Sequence, residues 1–107
     1  LKAMDYISIH LHSRIFLQDV ADAAAVSAPH LSRKFQEEMH VSISEYIAIK
    51  KIEAAKNLLQ YTQQPASAIS SLLSFSSQSY FIKVFQKYVG MTPKEYRRQF
   101  QNSTRFS

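Results

Sequence analysis

Hydrophobic residues recur at helical spacing along this chain, and short polar breaks divide them into successive segments. Met4, Ile7 and Leu11 fall on one face, so residues 1–11 are predicted to form an amphipathic helix. A short helix over 16–25 follows, and then a third helix from about residue 27 to about residue 40. The predicted inward residues are Leu17, Val20, Ala21 and Ala24 in the second helix, and Leu31, Phe35 and Met39 in the third.

A longer helix separates this segment from a second one with the same order of elements. It is predicted to begin at Ser42 or Ser44 and to end near Tyr61, and its wide apolar side fits a helix that packs on two subdomains. Pro65 interrupts the pattern. The inward residues predicted after it are Ile69, Leu72 and Leu73 in a short fifth helix, Phe81, Val84, Phe85 and Tyr88 in a sixth, and Tyr96 and Phe100 in a seventh.

Capping residues stand at several of these predicted helix starts. Ser27 and Ser77 can accept hydrogen bonds from the first backbone N–H groups of the third and sixth helices. Pro29 suits the first turn of the third helix, where its missing N–H does no harm. Thr92 followed by Pro93 is typical of the start of a helix, here the seventh.

The two short-helix segments are copies of one pattern, about fifty positions apart. Each copy has a short apolar helix, a Ser-rich turn and a helix with one basic outward face, which is the sequence form of a helix-turn-helix. The prediction is therefore an all-α fold of seven helices, in which a long central helix joins two helix-turn-helix subdomains within a single domain over 1–107. The predicted parts are a first helix-turn-helix at about 16–40, a linker helix at about 42–62, a second helix-turn-helix at about 66–89 and a C-terminal helix at about 92–100.

The turns of both copies lack the glycine that such turns often contain. A residue in the turn commonly takes the left-handed conformation, which glycine adopts without strain. Ala25 and Ser74 occupy that place here, and His40 stands where the second copy has Gly90. The first unit is therefore predicted to be somewhat less rigid than a unit with glycine at these places.

Composition narrows the class of protein. Apolar content of 46%, with seven Phe and six Tyr, excludes a disordered chain, and one Gly with three Pro favours helices over hairpins. The chain has no Cys, which excludes disulfides and thiolate metal sites and suits a reducing cytoplasm. No apolar run approaches the length that crosses a membrane.

The net charge of +5 is unevenly placed. Residues 1–80 hold seven basic and seven acidic side chains, so the whole excess lies in residues 81–107. Such a patch attracts a polyanion, although a basic surface that only aids solubility is the common alternative. The basic residues of this last quarter are Lys83, Lys87, Lys94, Arg97, Arg98 and Arg105, against Glu95 alone.

The sequence carries a family resemblance that covers residues 1–100. The segment FSSQSYFIKVFQKYVGMTPKEYR looks very like the signature of the AraC/XylS family of bacterial transcription regulators. LQDVADAAAVSAPHLSRKFQEEMHVSISEYI resembles the first helix-turn-helix of that family, and IKKIEAAKNLL is similar to its linker helix, with Lys51 where Arg is frequent. The resemblance implies two recognition helices that enter successive major grooves of double-stranded DNA.

Helical spacing then selects the candidate DNA contacts. With Leu31 and Phe35 inward, Arg33 faces outward and can donate twice to guanine, while glutamines suit adenine and Ile82 a thymine methyl. Lysines suit phosphates, and a phosphate contact fixes the register of the protein on DNA without reading sequence. The alternative for each residue is a place on a solvated helix face with no contact to DNA. The predicted base-reading residues are Pro29, Ser32, Arg33, Gln36, Gln78, Ser79 and Ile82, and the predicted phosphate contacts are Lys83, Gln86, Lys87, Lys94 and Arg97.

Two other functions are alternatives to DNA reading. An enzyme is disfavoured, because one glycine leaves no room for a glycine-flanked nucleophile or a phosphate-cradling loop. His10 and His12 lie on different sides of a helix and make a poor metal pair, so neither a metal nor a cofactor is predicted. The better alternative is a helix-turn-helix protein-interaction module with weak, non-specific DNA binding.

The resemblance also implies partners. Many family members carry a separate ligand-sensing or dimerising domain before this one, and activation through RNA polymerase is the usual mode of the family. The chain begins inside a predicted helix at Leu1, so we expect a fragment of a longer cytoplasmic regulator, with a short stand-alone regulator as the alternative. The two reading faces differ in residue type, which predicts an asymmetric DNA site of two unlike half-boxes.

Overall fold

Seven helices follow one another along residues 2–105, which are the residues that the computed structural model describes, with side chains for residues 2–101. No strand occurs among these residues, so the predicted all-α fold is confirmed. The first two helices are shorter than predicted, and Leu1 lies outside the described residues. The helices are α1 (Lys2–Ile9), α2 (Leu17–Ala23), α3 (Ala28–Met39), α4 (Ile43–Tyr61), α5 (Ala66–Leu72), α6 (Gln78–Val89) and α7 (Pro93–Arg105).

Side-chain caps begin four of these helices. The hydroxyl oxygen of Ser27 accepts a hydrogen bond from the His30 N–H at 3.3 Å, and that of Ser77 accepts from the Tyr80 N–H at 3.1 Å. These caps satisfy backbone N–H groups that have no partner inside the helix. Both predicted caps are therefore confirmed.

Reciprocal capping boxes begin α4 and α7. Ser42, rather than Ser44, begins α4: its hydroxyl accepts from the Glu45 N–H at 3.1 Å, and the Glu45 carboxylate accepts from the Ser42 N–H at 3.2 Å. Thr92 and Glu95 repeat this arrangement at 3.1 and 2.8 Å. The hydrogen bonds from the Thr92 backbone and side chain lower the pKa of the Glu95 carboxyl.

The chain divides between Lys50 and Lys51 into two compact units, and α4 contributes residues to both. The first unit buries one apolar cluster from α1, α2, α3 and the first turn of α4. Phe35 and Tyr46 meet edge to face at its centre, with ring centroids 5.1 Å apart. The buried residues of the cluster are Ala3, Ile7, Val20, Ala21, Leu31, Phe35, Ile43 and Tyr46.

The second unit has a core built around aromatic rings. Consecutive ring centroids lie 5.0 Å apart for Phe75 and Phe81, 5.9 Å for Phe81 and Phe85, 5.6 Å for Phe85 and Tyr96, and 4.4 Å for Tyr96 and Phe100. This series links α6 to α7. The buried residues around it are Ile52, Ala55, Leu59, Ile69, Leu73, Phe81, Val84, Phe85 and Tyr96.

The predicted inward faces of the two shortest helices were partly wrong. Leu17 is 36% exposed and Leu72 is 38% exposed, although both were expected to be buried. In α5 the inward place next to Ile69 and Leu73 belongs to Ser70, which is 3% exposed and donates its hydroxyl to the carbonyl oxygen of Ser77 at 3.3 Å. A small residue lets α5 approach the turn closely, and the hydrogen bond satisfies the buried hydroxyl.

Among the described residues, four take the left-handed conformation, as the repeat predicted. The φ angles are 58° at Ala25 and 56° at Ser74 in the two helix-turn-helix turns. At the ends of α3 and α6 they are 62° at His40 and 85° at Gly90. Only glycine adopts this region without strain, so the first unit carries strain at the end of α3 that the second unit avoids.

Substitutions at these two C-cap residues, His40 of α3 and Gly90 of α6, should have opposite effects on the free energy of unfolding. His40→Gly should raise the free energy of unfolding by about 1 kcal/mol, because glycine removes the left-handed strain. Gly90→Ala should lower it by a similar amount, ~1 kcal/mol. No heavy atom lies within 4 Å of a Cβ built at Gly90, so only the φ angle opposes alanine there. Urea denaturation of the two variants measures both effects. A lower free energy of unfolding for His40→Gly would show that the left-handed conformation of His40 is not strained.

Candidate nucleic-acid interface

The outward side of α3 is the surface that the sequence predicted as the recognition face of the first unit. Leu31 and Phe35 are buried in the core and fix the rotation of the helix about its axis. The opposite side then exposes Pro29, Arg33 and Gln36, while Ser32 is half-buried at its edge. The structure therefore brings the predicted residues of this copy onto one accessible helix surface.

The outward side of α6 is the corresponding surface of the second unit. Phe81, Val84 and Phe85 anchor the helix in the core, and Ile82 is half-buried. The predicted residues exposed on this surface are Gln78, Ser79, Lys83, Gln86 and Lys87. Tyr80, which sequence reasoning omitted, is 51% exposed on the same helix and lies against Phe75, with ring centroids 6.3 Å apart.

A groove of about 540 Å³ in the second unit joins α6 to the start of α7. Gln78 and Ile82 from α6 line it together with Lys94 and Arg97 from α7, so four predicted DNA contacts share one concave surface. Pro93 is buried at the first position of α7, and the exposed Lys94 follows it in the groove lining. Lys94 and Arg97 are the cationic residues of this largely apolar lining, and their positive charge attracts a phosphate group.

Arg97 also has a structural role that the sequence did not reveal. Its Nε donates to the carbonyl oxygen of Leu59 at 3.1 Å, and its Nη2 donates to that of Thr62 at 3.2 Å. Gln101 Nε2 donates to the Thr62 oxygen as well, at 2.9 Å. These bonds satisfy carbonyls that lack intrahelical partners at the end of α4. Contact between Arg97 and phosphate stays a prediction, now for a side chain that already holds α4 to α7.

Lys51 is a second polar residue with a structural role near the interface. It is 6% exposed, and its Nζ donates to the carbonyl oxygen of Leu73, the C-terminal cap of α5. Burial lowers the pKa of the Lys51 ammonium. The bond ties α4 to the turn that precedes α6. The only sequence signal for it was a lysine where the family frequently has arginine.

The described residues were predicted to hold neither a metal site nor a membrane-spanning segment, and two observations bear on this. Within residues 2–101, no group of three or more His, Cys, Asp and Glu side chains is placed to hold a metal ion. His10 instead stacks on Tyr6, with ring centroids 3.9 Å apart, and its Nδ1 lies 2.8 Å from the Tyr6 carbonyl oxygen. Of the described helices, none is both long and apolar enough to span a membrane. The side chain of Arg105, part of the predicted basic excess, lies outside those described.

A comparison with protein families matches residues 20–99 to a family model described as a helix-turn-helix domain. The match covers α3, α6 and the long helix α4 between them. A comparison with curated proteins finds the xylose operon regulatory protein of Escherichia coli (strain K12), which is 37% identical over 97 residues. That similarity covers 91% of this chain and 25% of the relative, so the chain spans about a quarter of the length of that protein.

Solved structures with similar folds include two that are described as DNA-binding. A transcriptional regulator of the AraC-type DNA-binding class from Chromobacterium violaceum superposes with a TM-score of 0.87 at 26% identity, over 92% of this chain and 88% of that one. The DNA-binding domain of the global transcriptional factor AdpA, solved in complex with a target DNA, gives a TM-score of 0.90 at 17% identity, over 98% and 95% of the two chains. The second likeness concerns the fold alone.

Proposed function

The chain belongs to the AraC/XylS family of transcription regulators, and on that premise we propose that it binds double-stranded DNA sequence-specifically through α3 and α6. The two helices enter successive major grooves. Arg33, Gln36 and Gln78 contact base edges, and Lys83, Lys87 and Lys94 contact phosphates. The remaining predicted contacts, Pro29, Ser32, Ser79, Ile82, Gln86 and Arg97, complete the two surfaces.

The observation that carries this proposal is the exposure of two polar helix faces on well-packed cores. Each recognition helix has a capped start and buried aromatic anchors, so its outward side chains are presented on a rigid element. The two faces differ, since α3 offers Pro29, Ser32 and Arg33 where α6 offers Ser79, Ile82 and Lys83. A DNA site of two unlike half-boxes follows, rather than a palindrome.

Selection from a random pool of duplexes tests the proposal directly. Each randomised segment should cover two successive major grooves, about 20–25 base pairs. We expect enrichment of one asymmetric sequence and a binding constant that falls steeply with salt, because several phosphate contacts release counterions. Weak binding that is insensitive to salt and shows no enriched sequence would instead favour the protein-interaction module.

The wider role rests on the family and is also a proposal. Because the chain spans only a quarter of its curated relative, a sensing or dimerising domain N-terminal to it would supply control. We place the regulator in the bacterial cytoplasm, where it acts as an activator that contacts RNA polymerase. No catalytic activity and no cofactor are proposed. Transcription of a promoter that carries the selected site, with and without the protein, separates activation from repression.

Lys87→Ala should weaken binding to all sequences alike. Lys87 is exposed on α6, and its Nζ lies 5.2 Å from the ring centroid of Tyr88. Loss of one phosphate contact should reduce the slope of log K against log salt by about 0.9 and leave sequence preference unchanged. Titration of the selected and a random duplex at several salt concentrations measures both. A changed base preference would contradict a phosphate role.

A further inference from the structure

The two recognition helices carry opposite charges at equivalent places. In the repeat, Glu37 of α3 corresponds to Lys87 of α6, and both side chains are exposed. The basic pair Arg33 and Lys34 is balanced within α3 by Glu37 and Glu38, whereas α6 holds Lys83 and Lys87 and no acidic residue. The place at which the second helix offers a cation to DNA is thus occupied in the first helix by an anion.

Glu37 lies on the same side of α3 as Arg33. The two residues are one helical turn apart, so their side chains are neighbours on the helix surface. They line one shallow cavity of about 340 Å³, together with His30, Lys34 and Glu38. Any DNA that Arg33 reaches therefore approaches the Glu37 carboxylate as well.

The neighbouring glutamate, Glu38, forms an ion pair within α3. Glu38 pairs with Lys34, whose Nζ lies 3.9 Å from the carboxylate oxygen. In the part of the chain that the structure describes, no basic side chain forms such a pair with Glu37, although Arg33 is close enough in sequence. The negative charge of Glu37 is thus directed to solvent beside the base-reading arginine, and that of Glu38 is partly offset.

Repulsion from phosphate depends on how the helix is oriented. When a protein is held by phosphates alone, its helix slides along the backbone, and an exposed carboxylate repeatedly meets phosphate oxygens. When base contacts of Arg33 fix the helix in the groove, the position of Glu37 is fixed too and need not face a phosphate. An acid at this place therefore weakens non-specific binding more than specific binding.

We infer that Glu37 is a specificity-determining residue, which lowers the affinity of the first unit for DNA that lacks the sequence Arg33 reads. The inference rests on the proposed function and extends it: the two copies of the repeat have different electrostatic tasks. The basic α6 holds any duplex, and the neutral α3 adds affinity only where a base contact forms. A carboxylate that repels non-preferred DNA raises specificity without any new attractive contact.

Charge-changing variants of the 107-residue chain test this inference. Glu37→Gln removes the charge and keeps the size, and Glu37→Lys installs the cation that α6 has. Glu38→Gln is the matched control, because it makes the same change of net charge on the same helix. The probes are the duplex enriched from the random pool and a random duplex of equal length, each titrated over a fourfold range of salt. Thermal unfolding establishes that all three variants are folded.

Glu37→Lys should bind the random duplex at least about threefold more tightly, with a salt slope steeper by about 0.9, as one added phosphate contact requires. Glu37→Gln should show a smaller increase in the same direction, and Glu38→Gln the smallest. Affinity for the enriched duplex should rise less, so the ratio of enriched to random binding should fall for both Glu37 variants.

Three results would overturn the inference. Random-duplex affinity could stay unchanged in Glu37→Lys, or Glu38→Gln could raise it as much as Glu37→Gln does. Glu37→Gln could also lose affinity for the enriched duplex alone, which would make Glu37 a base-reading residue that accepts from cytosine. In each case the wild-type chain still prefers the enriched duplex. Failure of the proposed function is distinct, since the wild-type chain itself would then show no preferred sequence.

Discussion

Phe85→Ala is expected to lower the free energy of unfolding by about 3–5 kcal/mol, the range for removing a large aromatic side chain from a packed core. Phe85 has no exposed surface and lies between two other rings. Its ring meets Phe81 and Tyr96 edge to face, with centroids 5.9 and 5.6 Å away. The substitution would leave a cavity between α6 and α7 and remove both aromatic contacts.

Tyr80→Ala is the matched control for this loss. It removes an aromatic side chain from the same helix, but Tyr80 is 51% exposed, so we expect a loss of less than about 1 kcal/mol. Urea denaturation followed by circular dichroism measures both variants. Similar losses for Tyr80→Ala and Phe85→Ala would contradict the core assignment, because burial would then not distinguish the two positions.

Local features of this fold could be predicted from the sequence because their causes are local. A cap such as Ser27 acts on a backbone N–H three residues away, and the box of Thr92 with Glu95 spans the same distance. The left-handed residues Ala25 and Ser74 were located by aligning the two copies. Amphipathic spacing in the 12-residue α3 and α6 identified their buried and outward faces, which is why the candidate contacts fall on accessible surfaces.

The spacing of apolar residues does not determine which side of the shortest helices is buried. In the seven-residue helices α2 and α5, an apolar side chain can be assigned to either side, and the spacing places Leu17 and Leu72 inward although more than a third of each is exposed. Ser70 was omitted because its burial depends on the carbonyl oxygen of Ser77, which the turn brings near. Periodicity counts apolar residues and does not detect a buried hydroxyl that has a partner.

Contacts between residues distant in sequence could not be predicted at all. Arg97 was assigned to phosphate from its charge, but two of its N–H groups donate to the end of α4, 35 and 38 positions earlier. Lys51 donates to Leu73, 22 positions later. In both cases a cation is held by backbone carbonyls, so positive charge alone does not identify a DNA contact. Arg33, whose side chain is exposed on an outward helix face, is the stronger candidate for that reason.

Arg33→Ala should weaken binding to the enriched duplex by about 1–3 kcal/mol, or roughly 5–150-fold, and relax the preference at one base pair. The planar guanidinium can donate twice to the O6 and N7 of guanine, and α3 offers no other side chain with that geometry. Affinity for the random duplex should fall less. Glu37 and Glu38 leave α3 without net charge, so this helix contributes little to binding that depends on charge alone. The main effect should therefore be a smaller difference in affinity between the enriched and the random duplex.

Two further variants separate geometry from charge. Arg33→Lys keeps the positive charge without the fork, so it should restore random-duplex binding but not the base preference. Lys34→Ala removes a cation from the next position, where the side chain pairs with Glu38, and should leave the preference intact. Repeating the pool selection with each variant measures the preference, and titration measures the affinity. Equal losses on enriched and random duplexes for Arg33→Ala would make Arg33 a phosphate contact, and sequence reading by the first unit would then have to come from Gln36.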